Sequence, residues 1–355
     1  MSDELAPDQT VWEYGQPNET GLSEEFLLNL NARIQLNEFL EINGLIIIKD
    51  EKLVYENYYN RSDSLGITVR IPTLTRRNEP FNLGGAGLTY TLAAIGVADD
   101  LRILSIEDPI VDYLPEYQSI FEEDPDKLEI TIEDLILHKS GLSWNTSIQP
   151  LSLQNDLNEM RASDDWVQFI LEQPMEAPAG LRFNLNTSIG VLLAKIIEEA
   201  SGDDFESFIR EKVLDLLTIN DFQIELDPSG NYNAGTGINT SLLDWTKLGY
   251  LFLNDGLWEG RKILDPEFAE AATSLQTEVS GTYTLGYVWW QFGANFANSF
   301  PVPYQEIYYI PGELGQHIYV IPSENMIISI FADNLLFGFG NPSLSLFLEV
   351  INSVQ

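Results

Sequence analysis

The spacing of apolar residues predicts strands near both ends of the chain. Residues 44–59 read as two strands around a polar turn at residues 49–52, and residues 22–36 before them have the spacing of an amphipathic helix. Further strands are predicted at residues 283–292, 306–310, 317–321 and 326–331, and a last helix at residues 343–353. The strand-forming segments therefore come from two regions that lie far apart in the sequence.

The middle of the chain has a helical pattern that Pro and Gly interrupt. Between about residues 100 and 265 we predict helices at 164–172, 189–201, 205–217 and 241–253. The longest apolar run, residues 83–98, comes before this region and stops at Asp99 and Asp100. A bilayer span needs roughly 20 residues. This run is shorter, and it is small and apolar on all sides, so it predicts a buried helix and no transmembrane segment.

Strand-rich ends around a helical middle indicate an α/β (α+β) fold. We expect one antiparallel sheet built from both termini, flanked by helices, with an inserted helical domain. The expected organisation is an acidic N-terminal tail at residues 1–20, a sheet domain at residues 21–100 plus 266–355, and a mostly helical domain at residues 101–265.

Composition narrows the classes of function. The 355 residues include 18 Lys and Arg against 55 Asp and Glu, a net charge of -37. A chain this acidic repels nucleic acid, so we expect no nucleic-acid partner. There is no Cys, and the two histidines, His138 and His317, are far apart, so we predict no metal site and no cofactor. The acidic run at residues 122–126 lacks the spacing of a calcium loop.

The N-terminus bears on location. It reads Met-Ser-Asp-Glu-Leu-Ala-Pro, without the basic region and apolar stretch of a signal peptide. The chain is then either cytoplasmic or begins after a leader that has been removed. We favour the second, with Ser2-Asp3-Glu4 as the exposed tether of an envelope lipoprotein in the periplasm or cell envelope.

Several segments occur in the order of one known family. They are residues 106–116 (IEDPIVDYLPE), 131–142 (TIEDLILHKSGL), 178–183 (PAGLRF), 235–261 and 309–322 (YIPGELGQHIYVIP). Together they resemble the serine β-lactamase and DD-peptidase superfamily of penicillin-binding-protein-like proteins, in its class C-like or esterase-like branch. The resemblance covers about residues 40–335 and implies the β-lactamase/transpeptidase-like fold.

The same resemblance implies a set of catalytic positions, and this chain has lost them. In the family a Ser begins a helix, a Lys follows three residues later, and a Tyr from the helical domain completes the proton relay. These positions match Gly85, Leu88 and Leu185, with Thr187 two residues after the Tyr position. A basic residue often found near the last strands matches Ile310. An acyl-transfer mechanism needs an activated hydroxyl, so the resemblance predicts a chain without catalytic residues.

Ligand-binding candidates follow from the resemblance alone. The residues expected near the former active site are Tyr90, Trp144, Asn145, Thr187, Trp290, Gly312 and Gln316. Ordinary packing is the alternative for each. The run Gly84–Gly87 is either an anion-binding turn at a helix N-terminus or a place where only small residues fit between neighbouring elements.

Three functional hypotheses remain open. The first is a pseudoenzyme that binds a small molecule, peptide or protein through the relic cleft. The second is a hydrolase of ester, amide or peptide bonds that uses relocated catalytic groups. The third is a structural or interaction module whose cleft is closed. An open cleft at Gly85 favours the first hypothesis, and Leu88 packed against Leu185 favours the third.

Overall fold

The computed structural model describes residues 12–39, 41–62, 72–74, 77–145, 155–297, 306–312, 315–332 and 342–354. Its strands are β1 Glu13–Tyr14, β2 Ile42–Lys49, β3 Lys52–Tyr58, β4 Asn60–Ser62, β5 Pro72–Leu74, β6 Phe81–Asn82, β7 Phe222–Ile224, β8 Ile238–Thr240, β9 Leu257–Trp258, β10 Arg261–Lys262, β11 Thr277–Glu278, β12 Tyr283–Leu285, β13 Trp290–Phe292, β14 Tyr308–Pro311, β15 His317–Ile321 and β16 Met326–Ala332. Its helices are α1 Glu24–Gln35, α2 Leu88–Asp100, α3 Gln118–Glu123, α4 Ile132–Ile136, α5 Asp156–Arg161, α6 Trp166–Leu171, α7 Ile189–Ser201, α8 Phe205–Ile209, α9 Leu242–Leu253, α10 Pro266–Thr273, α11 Ala294–Ala297 and α12 Pro342–Ile351.

One nine-stranded sheet joins the two ends of the chain. Its strand order is β1-β3-β2-β16-β15-β14-β13-β12-β11, and every pair is antiparallel except β1 with β3. The N-terminal hairpin β2–β3 meets the C-terminal strands where β2 pairs with β16. The predicted antiparallel sheet from both termini is therefore confirmed.

Both faces of this sheet are covered by apolar packing. Along β2, Ile46 and Ile48 point into the core shared with the helices, whereas Leu45 and Ile47 point into a second core under α1 and α12. This alternation is the period-two pattern of a strand buried on both faces. Helix α9 packs on β15 and β16, where Gly249 leaves room for the close approach of Ile318.

The described part of the expected N-terminal tail belongs to the fold. Strand β1 pairs with β3, and Trp12 is buried against Tyr250 and Trp258. Burial of an aromatic ring of this size stabilises the attachment. Trp12 and Thr20 are buried, whereas Glu13 and Tyr14 of β1 are exposed. Residues 1–11 lie outside the described range, so the expected tail at residues 1–20 stays a prediction.

The prediction of a single strand at residues 283–292 is wrong, because the structure forms the hairpin β12–β13 there. Leu285 pairs with Trp290, and the turn between them closes through the Gly286 N–H and the Trp289 carbonyl. Val288 sits in this turn at φ 64°, a conformation that β-branched residues rarely adopt. Its N–H bonds the carbonyl of Ile136, so a tertiary contact holds a turn that local preference does not indicate.

The helix predicted at residues 205–217 is also interrupted. Helix α8 ends at Ile209, and residues 210–214 continue as a π-helical turn.

Asp165 starts α6 by accepting a hydrogen bond from the Gln168 N–H, which gives this carboxylate a capping role. None of the helices in the described ranges combines the length and the apolar character of a membrane span.

Candidate functional site

The turn before α2 carries the first matched position of the family pattern. Residues Gly84–Gly87 form a 3-10 turn that leads into α2. A Cβ on Gly87 would lie 2.6 Å from the carbonyl oxygen of Gly235, and Gly84 has φ 54°. The run of small residues is therefore explained by close backbone approach, as the packing interpretation predicts.

An open cleft of about 210 Å³ lies at this turn. It is lined by Gly85, Leu88, His138, Leu185, Thr187, Val288, Trp290, Ile310, Pro311 and Gly312. The structure thus brings together the positions that the sequence matched to nucleophile, base, relay Tyr and strand edge. These positions come from the start of α2, the loop before α7 and the end of β14, so only the tertiary fold makes them neighbours.

Thr187 occupies the space beside Gly85. A Cβ built on Gly85 would lie 2.5 Å from the Thr187 Cγ2 methyl and 3.2 Å from its Cβ. Real carbon atoms do not approach each other to 2.5 Å, so any side chain at position 85 requires Thr187 to move. The space beside Gly85, the position that the sequence matches to the family's Ser, is thus taken by the methyl group of Thr187.

The other two matched positions make the cleft apolar. Leu88 is 1% exposed and Leu185 is 39% exposed, and both line the cleft. Ile310 and Pro311 form the wall on the strand side. The leucines have not sealed the site, because the cleft between them remains open.

His138 is a cleft residue that the sequence analysis did not assign to the site. Its Nδ1 lies 3.1 Å from the carbonyl oxygen of Asn186. The ring also lines the cleft and is 2% exposed. Burial lowers its pKa to about 4, because desolvation disfavours the imidazolium more than the hydrogen bond with Asn186 favours it. The backbone of His138 has φ 54°, which is uncommon for a residue other than glycine. A sequence pattern does not reveal such a conformation, so the position of this ring could not be predicted.

Aromatic rings support the two cleft residues His138 and Trp290. The His138 and Phe183 ring centroids are 6.0 Å apart, and those of Phe183 and Trp290 are 5.8 Å apart, both at nearly perpendicular orientations. Tyr283 approaches Trp290 from the hairpin at 6.2 Å. Edge-to-face contacts of this kind fix ring orientations, including those of the two cleft residues.

Two of the predicted ligand-binding residues are buried away from the cleft. Tyr90 is fully buried, and its hydroxyl lies 3.2 Å from the Thr240 hydroxyl. It is directed towards β8 because it lies on a different face of α2 from Leu88. Trp144 is 5% exposed and packs edge-to-face on Phe169.

The remaining candidates divide between the cleft and its support. Asn145 is exposed, and its N–H bonds the carboxylate of Asp156. Gln316 is buried behind Gly312 and donates from Nε2 to the Asn82 carbonyl. Thr187, Trp290 and Gly312 do line the cleft, as expected from the resemblance.

We predict that Gly85→Ser destabilises the fold through Thr187. Overpacking of a filled site costs about 1–3 kcal/mol, and Thr187→Ser in the same chain should recover part of that loss because it removes the Cγ2 methyl. Urea unfolding of both single variants and of the double variant measures the coupling. Additive losses would contradict the steric explanation.

The chain was compared with known proteins. A family model described as "Beta-lactamase" matches residues 38–336. An uncharacterized protein of Alkalihalophilus pseudofirmus is 23% identical over 342 residues, which is 88% of this chain and 89% of that protein. The inferred resemblance is thereby confirmed.

Solved structures agree on the fold. The penicillin binding protein from Bacillus halodurans has a TM-score of 0.66 at 16% identity, covering 91% of this chain and 98% of that one. EstCE1, a hydrolase with promiscuous acyltransferase activity, has a TM-score of 0.72 at 14% identity, covering 93% and 98%. At these identities the likeness shows the β-lactamase/transpeptidase-like fold and nothing about activity.

Proposed function

We propose that this chain, which belongs to the beta-lactamase family, is a non-catalytic member that binds a ligand through its relic cleft. One observation carries the proposal. The position that the sequence matches to the nucleophile is Gly85, and the space that a side chain would need there is filled by the Thr187 methyl. Leu88, at the position of the base, lines the same cleft and has no group that could take up a proton.

The chemistry of acyl transfer supports this proposal. A covalent route needs a nucleophile that a neighbouring base activates. Loss of nucleophile and base together removes that route, whereas loss of one group can leave residual activity. In the family the Ser, Lys and Tyr act together in one proton relay. The positions matched to them, Gly85, Leu88 and Leu185, have all lost the group that takes part.

An open cleft supports binding over a closed structural module. The cleft volume of about 210 Å³ exceeds the roughly 150 Å³ of an engineered apolar cavity that holds benzene. Leu185 keeps more than a third of its surface exposed at the edge of the cleft. A small molecule is therefore the first partner to test, ahead of a peptide or a protein.

We expect the chain to show neither labelling nor turnover. The measurements are labelling with a fluorophosphonate and a fluorescent penicillin, together with turnover of a chromogenic cephalosporin and p-nitrophenyl esters. Stoichiometric labelling, or turnover well above background, would overturn the proposal. It would favour a hydrolase with relocated groups, for which Thr187 and His138 are the first candidates to test among the described cleft residues. Loss of that turnover in Thr187→Val would identify the hydroxyl.

A gain-of-function variant tests the matched positions directly. Gly85→Ser, Leu88→Lys and Leu185→Tyr restore the family groups, but the new Ser would meet the Thr187 methyl. We therefore expect labelling only when Thr187→Ser is added. The triple variant with Thr187 intact is the matched control.

We also propose an extracytoplasmic location. It is supported by the match to the beta-lactamase family model and by the likeness to a penicillin binding protein. Cell fractionation followed by antibody detection tests it, and recovery with the cytoplasmic fraction would contradict it.

A further inference from the structure

The cleft has apolar walls and few polar groups. Among its described lining residues the side chains with a hydrogen-bonding group are those of His138, Thr187 and Trp290, and His138 and Thr187 are the two that can accept a hydrogen bond. None of these lining residues is charged at neutral pH, and the remaining walls are aliphatic side chains and glycine backbone. The content of the cleft is therefore expected to be largely apolar, with a small number of polar contacts.

The hydrogen bond of His138 decides which ring nitrogen faces the cleft as an acceptor. Nδ1 lies 3.1 Å from the Asn186 carbonyl oxygen and 3.4 Å from the Asn186 nitrogen. The shorter contact requires Nδ1–H as the donor. Nε2 then carries the lone pair, because a neutral imidazole has one donor and one acceptor.

This acceptor lacks a partner in the described part of the chain. The hydrogen bonds of His138 there involve Nδ1 and the backbone, and none uses Nε2. The ring is nevertheless 2% exposed. Nε2 is not one of the fully buried polar atoms that lack a partner, so the remaining exposed surface of the ring leaves this acceptor accessible. A ligand that supplies an N–H or O–H would make a hydrogen bond here in mainly apolar surroundings.

We infer that the relic cleft binds an uncharged, single-ring-sized molecule whose N–H or O–H donates to Nε2 of His138. This inference rests on the proposed binding function and specifies its ligand class. The volume of about 210 Å³ suits a ring with a short substituent rather than a peptide.

Charge on the ligand is disfavoured by the same surroundings. A carboxylate in the cleft would find no cationic side chain among the described lining residues, in a chain whose net charge is -37. Its desolvation would go uncompensated. The position near the last strands where family members often place a base is Ile310, which is 1% exposed.

Three probes of similar size separate the effect of a hydrogen-bond donor on binding from the effect of a negative charge. The first is p-cresol, which has an O–H donor. The second is 4-methylanisole, in which a methyl group replaces that hydrogen. The third is 4-methylbenzoate, which is charged. A protein labelled with [15N]histidine has signals from only His138 and His317, and His317→Phe assigns them.

We expect p-cresol to shift the Nε2 resonance of His138 in a saturable way and to leave His317 unchanged. Loss of the donor in 4-methylanisole should weaken binding by about fivefold or more, the effect of one hydrogen bond. The carboxylate of 4-methylbenzoate should weaken it by at least about tenfold. In His138→Phe, which keeps a ring but has no acceptor, p-cresol and 4-methylanisole should bind equally.

Other outcomes overturn the inference. Tightest binding by 4-methylbenzoate, equal binding of p-cresol and 4-methylanisole to the unaltered chain, or no shift of His138 with any probe would each do so. The free protein provides a further check, since an Nε2–H tautomer in its spectrum would contradict the assigned acceptor. These results leave the proposed lack of catalysis untouched, because labelling and turnover are measured separately.

Discussion

Lys247→Met is expected to lower the free energy of unfolding by about 3–5 kcal/mol, the usual effect of removing one partner of a buried ion pair. The Lys247 side chain is 1% exposed, and its Nζ lies 2.7 Å from Oδ1 of Asp244 and 2.7 Å from the Thr218 carbonyl. Methionine fills a similar volume but donates no hydrogen bond. Asp244, whose side chain is 9% exposed, would be left as a nearly buried carboxylate without its counter-ion.

Urea unfolding followed by circular dichroism measures this loss. Lys262→Met is the matched control, because Lys262 pairs with Asp100 at 2.7 Å but is 47% exposed, where water screens the pair. The control should change stability little. Adding Asp244→Asn to Lys247→Met should recover part of the loss by removing the unpaired charge. Equal losses in Lys247→Met and Lys262→Met would show that burial does not decide the effect.

Acidification from pH 7 to pH 5 is expected to destabilise the protein through its two histidines by about 4 kcal/mol in total, or about 2 kcal/mol each. Burial lowers the pKa of His138 and of His317 to about 4, against 6.5 for an ordinary histidine. Between these values the unfolded chain binds protons that the folded chain does not. The stabilisation is therefore complete above about pH 6.5 and is lost as the pH falls towards 4.

The test compares how much the free energy of unfolding changes between pH 7 and pH 5 in the unaltered chain and in a variant without the two histidines. Burial raises the pKa of Asp99, Glu198 and Asp221, so these carboxyl groups act in the opposite direction on acidification. The double variant His138→Asn, His317→Phe removes only the histidine contribution. Asn accepts the positive φ at position 138, and Phe keeps a ring beside Tyr309 and Tyr319. If the unaltered chain and the double variant lose the same free energy between pH 7 and pH 5, the histidines are not responsible.

The match of Gly85, Leu88 and Leu185 to catalytic positions rests on the order of the neighbouring motifs and stays a prediction. Gly85 and Leu185 could be located by counting from neighbouring segments, and both line the cleft. Tyr90 could not be placed in the same way. It is two residues from Leu88, and on a helix that separation turns the side chain to a different face, where it meets Thr240.

The hairpin at residues 283–292 shows a different limit. Its sequence is rich in aromatic and β-branched residues, which favour a strand throughout. The turn at Val288 forms because its N–H bonds Ile136, from an element about 150 positions earlier. Local preference cannot reveal a contact of that kind, and Val288 contributes to the cleft only because the turn exists.

The sequence by itself determined the sheet from both termini, the family, and the absence of a Ser and a Lys at the matched positions, because these depend on residue identity and periodic spacing. The tertiary structure decided the state of the cleft. It placed the Thr187 methyl against Gly85, kept the space between Leu88 and Leu185 open, and turned His138 into the cleft. Those outcomes depend on ångström-scale approach between segments distant in the chain, which side-chain volumes and backbone angles settle only after folding.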